Sequence, residues 1–209
     1  MARTRSVAGG EIGLNDINRK YPRAVRFEGG TADIRLMTPA DGPAVLAFAR
    51  ELPAHDLLFL PRDISQEKVL NAWLGEIERG TFVSLVATIG GKVVGCAAIV
   101  RDPLSWARHV GELRIVTSAA VRGKGVGRAL IEESFAIALN LGLEKLCAHM
   151  TVDQRGAIEI FEGLGFRGEA LLRDQVKDPD GNKHDIVILS HDVARVQAQM
   201  EAYGVTSAF

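Results

Sequence analysis

The sequence predicts a single mixed α/β domain built around a central, mostly antiparallel sheet, and three observations support this fold class. Strand-like and helix-like patterns alternate in the order β-α-α-β-β-β-α-β-α-β-β. A length of 209 residues fits one domain, and a hydrophobic share of 47% supplies an ordinary core. No internal repeat or linker divides the middle of the chain.

The first half begins with a strand, followed by two helices. "ADIRLMT" (32–38) is the strand, and Thr38-Pro39-Ala40-Asp41 then combines a threonine cap, a proline and an acid at the start of a helix. That helix runs to about Leu52. A second capping signal at 63–66 precedes a helix with an apolar face formed by Val69, Leu70, Trp73, Leu74 and Ile77.

The remaining elements follow from turn signals and periodicity. "TFVSLVATIGGKVVGCAAIVR" is a hairpin around Gly90-Gly91, and "HVGELRIVTSAAV" is a long third strand. After a glycine-rich stretch, a helix extends to about Leu141. The last part of the domain reads, in order, as the strand "EKLCAHMTV", the helix "DQRGAIEIFEGLG" and the strands "FRGEALLRDQVKD" and "KHDIVILSHD".

The ends of the chain set the expected domain boundaries. Residues 1–30 are polar and glycine-bearing without sustained periodicity, so we expect a flexible arm. The folded domain is expected over 31–191, and a C-terminal helix or tail over 192–209.

Composition excludes several classes of function. A formal net charge of −1 argues against a general nucleic-acid binder. No stretch reaches the roughly 20 apolar residues of a membrane helix, and the N-terminus lacks the apolar core of a secretory signal. Cys96 and Cys147 lie in strand-like runs and are interpreted as reduced core residues. We therefore expect a cytoplasmic protein without a membrane or nucleic-acid partner, and no metal, since the histidines show no ligand spacing.

The stretch "AAVRGKGVGRAL" (119–130) predicts a phosphate site. Three glycines and three cations stand where a strand gives way to a helix. The first turn of a helix leaves backbone N–H groups unpaired, and glycines let phosphate oxygens approach them closely. The alternative is a glycine-rich turn that only starts a helix and carries solvated cations.

The spacing of this stretch identifies the kind of phosphate site. It matches neither GxxxxGK[ST] nor GxGxxG. It fits Arg-x-x-Gly-x-Gly at Arg122, Gly125 and Gly127, and "GLGF" (163–166) ends a short helix before a strand. In both features the chain resembles the GNAT acyltransferases, which bind acetyl-CoA. The resemblance covers roughly 32–191 and is strongest over 112–166.

The resemblance implies how acetyl-CoA, the acyl donor, is held. The sheet is expected to splay between the fourth and fifth predicted strands, and the pantetheine arm to pair with the backbone of Ile115, Val116 and Thr117. The pyrophosphate is expected on the amides of Gly123, Lys124, Gly125, Val126 and Gly127, flanked by Arg122 and Arg128. Gln154, where relatives usually carry asparagine, and Phe161 complete the expected cofactor-binding residues. The alternative for Phe161 is a core ring on the helix face of Ala157, Ile160 and Leu164.

The resemblance also assigns candidate catalytic roles. Attack on the thioester needs a neutral amine, and Glu112, on the strand before the loop, is the candidate general base. The alternative for Glu112 is an ion-paired strand residue, with Arg114 as its partner. Phe161 stands where many relatives carry the tyrosine that protonates the leaving thiolate, so the general acid stays unassigned. His149 is a weaker acid–base candidate, since a strand histidine is more often structural.

Two functions follow as hypotheses. The first is an acetyl-CoA-dependent N-acetyltransferase acting on a primary amine of a small molecule, a protein lysine or a protein N-terminus. The alternative is a non-catalytic acyl-CoA-binding regulatory domain. We expect the acceptor to be recognised by "ELPAHDLLFLPRD" (51–63) and "VKDPDGNKHD" (176–185), whose acids could face a cationic amine, although both could be ordinary solvated loops. The sequence leaves a homodimer open.

Overall fold

The computed structural model describes residues 20–202 of the chain. The strands are β1 Arg23–Phe27, β2 Gly30–Leu36, β3 Phe82–Ile89, β4 Lys92–Val100, β5 Val110–Thr117, β6 Lys145–Thr151, β7 Arg167–Lys177 and β8 Lys183–Asp192. The helices are α1 Gly42–Arg50, α2 Glu67–Glu78, α3 Val126–Asn140, α4 Arg155–Gly163 and α5 Val193–Ala202. A short 3₁₀ helix, Ala54–Leu57, lies between α1 and α2. Within the described residues, no helix is both long and apolar enough to cross a bilayer.

The eight strands form one sheet in the order β1-β2-β3-β4-β5-β6-β8-β7. Only β5 and β6 run parallel; the other neighbouring strands pair antiparallel. The β5–β6 ladder ends at Glu112 opposite Cys147, although β5 continues to Thr117 and β6 to Thr151. The two strands therefore diverge beyond Glu112. This confirms the predicted mixed sheet and its splay, since β5 and β6 are the fourth and fifth strands predicted from sequence. We call the opening between the diverging strands the fork.

Helices cover the sheet on both faces, which gives two cores. On one face α3 packs over the strands around Leu113, Leu130 and Leu146. On the other face α1 and α2 pack around Phe48, Leu70, Cys96 and Val116, among others. Successive strand residues point to opposite faces, so Glu112 and Arg114 share the face of Val116. The charged residues of β5 therefore lie on the α1–α2 side of the sheet.

The first strand corrects the predicted N-terminal boundary. β1 lies within the stretch expected to be a flexible arm, and it pairs with β2 over its whole length. Val25 and Phe27 pack against the core, and Arg23 forms a 3.0 Å ion pair with the buried Glu133. Two inward-facing apolar residues are too short a pattern to indicate a strand in the sequence. Residues 1–19 lie outside the described part of the chain.

A helix follows the last strand, within the predicted C-terminal segment. Within the stretch 192–209, predicted to be a helix or tail, the helix α5 occupies Val193–Ala202. Val193 is fully buried and its N–H donates to the carbonyl of Glu144 at 2.8 Å, so the helix begins beside the start of β6. Residues 203–209 lie outside the described part of the chain.

Candidate functional site

The loop Ser118–Gly125, here the glycine loop, joins β5 to α3 and leaves an open cradle of backbone. Gly123 has φ +70° and Gly125, the N-cap of α3, has φ +98°, a region that favours glycine. A Cβ built at either glycine meets no described protein atom within 4 Å. The N–H of Ala129 donates to the Gly125 carbonyl at 3.0 Å. The N–H groups of residues 126–128 come before it in the first turn of α3, where no carbonyl of the helix can accept from them. The first turn of α3 carries no acid, so the cradle fits an anion.

Each cation of the glycine-rich stretch already has a partner within the protein. Arg122 forms an ion pair with Asp56 in the 3₁₀ helix between α1 and α2. Lys124 donates from Nζ to the Ala120 carbonyl at 2.8 Å. Arg128 donates from Nε to Glu132 at 2.9 Å, one turn along α3. Arg122 thus ties the glycine loop to the α1–α2 connection, a contact between distant segments that the sequence did not indicate.

The fork exposes strand backbone next to the glycine loop. On the β4 side, Ile115, Val116 and Thr117 pair with strand residues through the antiparallel ladder. On the β6 side, the described ladder has already ended at Glu112. Backbone groups at an unpaired strand edge can bind an amide-bearing chain as an added strand would. The three residues predicted to hold the pantetheine arm therefore line the fork.

Gln154 and Phe161 lie beyond the end of β6, in different surroundings. Gln154 is the N-cap of α4, and its side-chain oxygen accepts a 3.3 Å hydrogen bond from the N–H of Thr151. Phe161 is only 5% exposed and packs edge-to-face on Phe166 with ring centroids 4.9 Å apart. Phe161 was predicted as a cofactor contact. The structure places its ring in the core on the inner face of α4, so a contact with acetyl-CoA stays a prediction.

Glu112 stands at the apex of the fork in a two-bond ion pair. Arg114 donates from Nε and Nη2 to the two carboxylate oxygens, both at 2.8 Å. His149 Nδ1 lies 3.7 Å from Glu112 Oε1. A carboxylate offers about four lone-pair sites, so two remain for water or substrate. Both interpretations of Glu112, base and ion-paired residue, are compatible with this geometry.

Cys147 lies on β6 directly opposite Glu112, at the apex of the fork. Its thiol lies 3.6 Å from the Gly111 carbonyl oxygen. Burial, and secondarily the negative charge of Glu112, raises the pKa of this thiol. The thiol is therefore protonated near neutral pH and is a poor nucleophile. This agrees with its interpretation as a reduced, structural residue.

A cavity of about 640 Å³ opens from Glu112 and Arg114 under α2, and we call it the Trp73 pocket. Its apolar wall comes mainly from α2, β3 and β4, and includes Val69, Ala72, Trp73, Phe82, Ala98 and Val100. The indole N–H of Trp73 donates to Ser84 Oγ at 3.0 Å, which fixes the ring. The sequence did not indicate this wall, because apolar α2 residues at helical spacing are also typical of core.

Three arginines also line the pocket: Arg62, Arg101 and Arg114. Arg101 is the most unusual of them. Burial lowers its pKa, its Nη2 donates to the Gly80 carbonyl at 3.2 Å, and its buried Nε has no hydrogen-bond partner among the described residues. An unpaired buried donor costs free energy unless a ligand or water satisfies it.

The acids of the two predicted acceptor segments mostly hold those segments in place. Glu51 pairs with Lys92 at 2.9 Å, and Asp63 caps the turn before α2. Asp178 accepts hydrogen bonds from His184 and Asn182, which hold its pKa at about 2, well below the ordinary 3.8. The two segments do meet, since residues 49–65 and 176–179 line a second cavity of about 590 Å³.

The structure also assembles a group that the sequence spacing did not indicate. The ligand atoms of His55, Asp153 and His184 all lie within 4.8 Å of one another. The three residues come from the 3₁₀ helix, the β6–α4 turn and β8. Such residues could hold a metal ion. The expectation of no metal relied on the spacing of histidines in the sequence, and the fold brings together histidines that are far apart in it.

Comparisons with known proteins identify relatives of this fold and site. The model of the "Acetyltransferase (GNAT) family" matches residues 48–166, more than half of the chain. YwnH of Bacillus subtilis, which carries the name of a phosphinothricin acetyltransferase, is 35% identical over 83 residues, covering 40% of this chain and 50% of its own. N-acetyltransferase 8F1 of Rattus norvegicus is 31% identical over 84 residues, covering 39% and 38%. The chain thus aligns with half or less of the length of these curated relatives.

Solved structures match over more of the chain. Ribosomal-protein-alanine N-acetyltransferase from Brucella melitensis superimposes with a TM-score of 0.66 at 27% identity, covering 76% of this chain and 98% of its own. The phosphinothricin acetyltransferase from Sinorhizobium meliloti, solved in complex with AcCoA, gives 0.67 at 22% identity, covering 77% and 88%. At that lower identity the likeness concerns the fold alone.

Proposed function

Because the chain belongs to the GNAT acetyltransferase family, we propose that it transfers the acetyl group of acetyl-CoA to a primary amine. One arrangement carries the proposal. The fork opens beside the anion-binding glycine loop, and Glu112 at its apex faces the Trp73 pocket. The donor and the acceptor would thus reach Glu112 from two sides of the sheet.

The donor side is assigned to the fork and the glycine loop. Backbone groups of Ile115, Val116 and Thr117 would bind the amides of the pantetheine arm, as an added strand does. The amides of residues 123–127 would bind the diphosphate, with Arg122 and Arg128 beside it. Gln154 would offer its side-chain amide from the far side of the fork. The open space above Gly123 and Gly125 supports this fit.

The proposed chemistry places proton transfer at Glu112. An amine at neutral pH is mostly protonated and must lose a proton before it can attack a carbonyl. Glu112 accepts that proton, directly or through a water molecule, while Arg114 fixes the direction of its carboxylate. The C–N bond to the acetyl carbon forms, the C–S bond breaks, and the thiolate takes a proton from solvent. Phe161 has no hydroxyl to supply it.

The Trp73 pocket supports a small-molecule acceptor. Its volume of about 640 Å³ falls within the range of small-molecule sites. Its apolar wall suits an apolar substituent next to the reacting amine, and Arg101 offers an unpaired donor for an anionic group. The relatives include a protein named as a phosphinothricin acetyltransferase and a ribosomal-protein-alanine N-acetyltransferase. A protein lysine or N-terminus is therefore the second acceptor class to test.

A non-catalytic acyl-CoA-binding domain is the alternative, and one contact favours it. Both oxygens of Glu112 are engaged by Arg114, as in a structural ion pair. In that case the fork would bind acetyl-CoA, and the Trp73 pocket would receive no substrate.

Mass spectrometry of acceptor mixtures tests the proposed function. The protein is incubated with acetyl-CoA and separate pools of amino acids, polyamines, aminoglycosides, arylalkylamines and lysine peptides. We expect one class to gain an acetyl group only when protein and acetyl-CoA are both present. Tight acetyl-CoA binding without acetylation in any pool would support the binding-domain alternative.

A further inference from the structure

Three potential metal ligands from distant parts of the chain meet at one point, and we call them the histidine cluster: His55, Asp153 and His184. His55 Nε2 lies 2.7 Å from Asp153 Oδ2. The imidazole rings of His55 and His184 pack edge-to-face with centroids 5.2 Å apart. All three ligand atoms fall within 4.8 Å of one another, so small side-chain rotations would bring them to the roughly 3.4 Å spacing of ligands around one tetrahedral ion.

The histidine cluster adjoins the proposed transfer site, since Asp153 directly precedes Gln154, but shares no residue with it. Ile186 pairs with Thr151 across β8 and β6, and His184 is two residues from Ile186, so His184 shares a sheet face with Thr151. No member of the cluster lines the Trp73 pocket. Thr151 lies four residues after Cys147, the β6 partner of Glu112, and so shares its face. The cluster therefore lies on the Glu112 face of the sheet, at the C-terminal end of β6.

We infer that the histidine cluster binds one divalent transition-metal ion, with Zn²⁺ as the expected occupant. Two imidazoles and one carboxylate match the ligand chemistry of zinc, and imidazole nitrogens exclude Ca²⁺ and Mg²⁺ as preferred ions. Three protein ligands leave one position for water. The side chains of His55, Asp153 and His184 are 38%, 54% and 22% exposed, so an ion can reach them from solvent.

Asp178 supplies the outer support that metal-binding histidines commonly have. Its Oδ2 lies 3.0 Å from His184 Nε2, and Asn182 in turn donates to Asp178 from its backbone and its side chain. A carboxylate that accepts one ring N–H leaves the other ring nitrogen with its lone pair free. Asp178 therefore orients His184 and sets the tautomer that a metal ligand needs.

A simple ion pair explains less of this arrangement. His55 and Asp153 alone would satisfy one another as histidinium and carboxylate. The pair gives no role to His184, whose ring is held against His55 by its own carboxylate. A bound cation uses both imidazoles and the carboxylate together.

A metal ion here would link three segments, two of which, the β6–α4 turn and β8, are already joined by the 3.2 Å hydrogen bond from the Val152 N–H to the Asp185 carbonyl. It would tie the 3₁₀ helix to the β6–α4 turn and to β8. Asp56, next to His55, already pairs with Arg122 of the glycine loop. The predicted effect of binding is thus a rise in the stability of the folded chain, whatever its catalytic activity.

The test is zinc titration of the full, tag-free chain after removal of metal with a chelator. Calorimetry is expected to show about one equivalent bound. Tm is expected to rise by roughly 5–10 °C at a free Zn²⁺ concentration of about a hundred times Kd. His184→Ala and Asp153→Asn should weaken binding at least about tenfold. His109→Ala, which removes an exposed histidine outside the cluster, should bind as the unaltered chain does.

Two results would overturn the inference. One is a chain that shows neither heat of binding nor a Tm shift with Zn²⁺. The other is zinc binding that Asp153→Asn leaves unchanged, which would place the ion elsewhere. Asp153 is more than half exposed, so this variant is expected to fold even where His184→Ala does not, and circular dichroism checks both. Neither readout depends on acetyl transfer, so failure of the proposed function would leave this test intact.

Discussion

Arg114 and Glu112, two residues apart on β5, are joined by two hydrogen bonds of 2.8 Å at the point where β5 leaves β6. The pair is about four-fifths buried at the side-chain level. A charge-assisted pair with two parallel bonds fixes direction as well as charge. Glu112, which lines the Trp73 pocket where the proposed acceptor enters, is therefore held in one orientation.

His149 tests whether Glu112 alone accepts the proton. Its Nδ1 lies 3.7 Å from Glu112, too far for a direct hydrogen bond. We expect His149→Gln to lower kcat less than about tenfold, because general-base catalysis contributes about 10²–10⁴ and belongs to Glu112 in this account. Steady-state kinetics with the identified acceptor measure this. A loss in His149→Gln as large as that in Glu112→Gln would assign the proton path to both residues.

Gly125 tests the glycine loop. At φ +98° an alanine is strained, and its methyl group would enter the space proposed for the diphosphate. We expect Gly125→Ala to raise KM for acetyl-CoA about tenfold or more. Gly142→Ala is the matched control, since Gly142 has φ +66° and equally open surroundings at the other end of α3. Both should lose about 1–2 kcal/mol of stability, and an equal rise in KM in both would refute the assignment.

Asp56 tests the ion pair that restrains Arg122. Removing its charge frees the guanidinium for an anion at the glycine loop. Since partly exposed ion pairs are worth about 0.2–1 kcal/mol, Asp56→Asn should lower KM for acetyl-CoA by about 1.4- to 5-fold. Glu51→Gln removes another ion pair beside the same connection and should leave KM unchanged. An increase in KM in Asp56→Asn would show that the pair positions the loop instead.

Asp41, which precedes α1, makes the free energy of unfolding depend on pH in the acid range. Hydrogen bonds from Arg35, and then from Thr38, lower its pKa from 3.8 to about 2. A depressed carboxyl pKa stabilises the fold fully above pH 3.8, and the contribution disappears as pH falls through about 2. Asp41→Asn should therefore cost about 2 kcal/mol at pH 7 and progressively less below pH 4.

Urea unfolding at a series of pH values measures this difference. Asp174→Asn is the control, because Asp174 forms an exposed ion pair with Lys183 and should contribute little. A difference between Asp41→Asn and the unaltered chain that stays constant from pH 7 to 2 would contradict the assignment.

Local patterns predicted most of the fold because each element carries its own signal. The fork followed from the resemblance, and the helix start at Gly125 followed from three closely spaced glycines. β1 was missed because an edge strand with two inward apolar residues looks like a polar arm. Phe161 was predicted as a cofactor contact from its place in a motif. Which face of α4 it occupies is decided by Phe166 and the core behind it.

The parts of the site that sequence could not predict depend on contacts between distant segments. The Arg122–Asp56 ion pair and the histidine cluster each join residues that no spacing rule connects. The wall of the Trp73 pocket could not be told from core, since an apolar helix face looks the same whether a sheet or a cavity lies beneath it. Only the fold shows that α2 stands off the strands above Glu112.

The release of CoA thiol by the unaltered chain and by Glu112→Gln, with one identified amine acceptor, tests the central claim most directly. We expect kcat to fall by about 10²–10⁴ in Glu112→Gln, while acetyl-CoA binding measured by calorimetry stays the same. Glu169→Gln, which alters an exposed ion pair on β7, should retain full activity. Equal turnover in Glu112→Gln and the unaltered chain would contradict the claim that Glu112 accepts the proton at the apex of the fork.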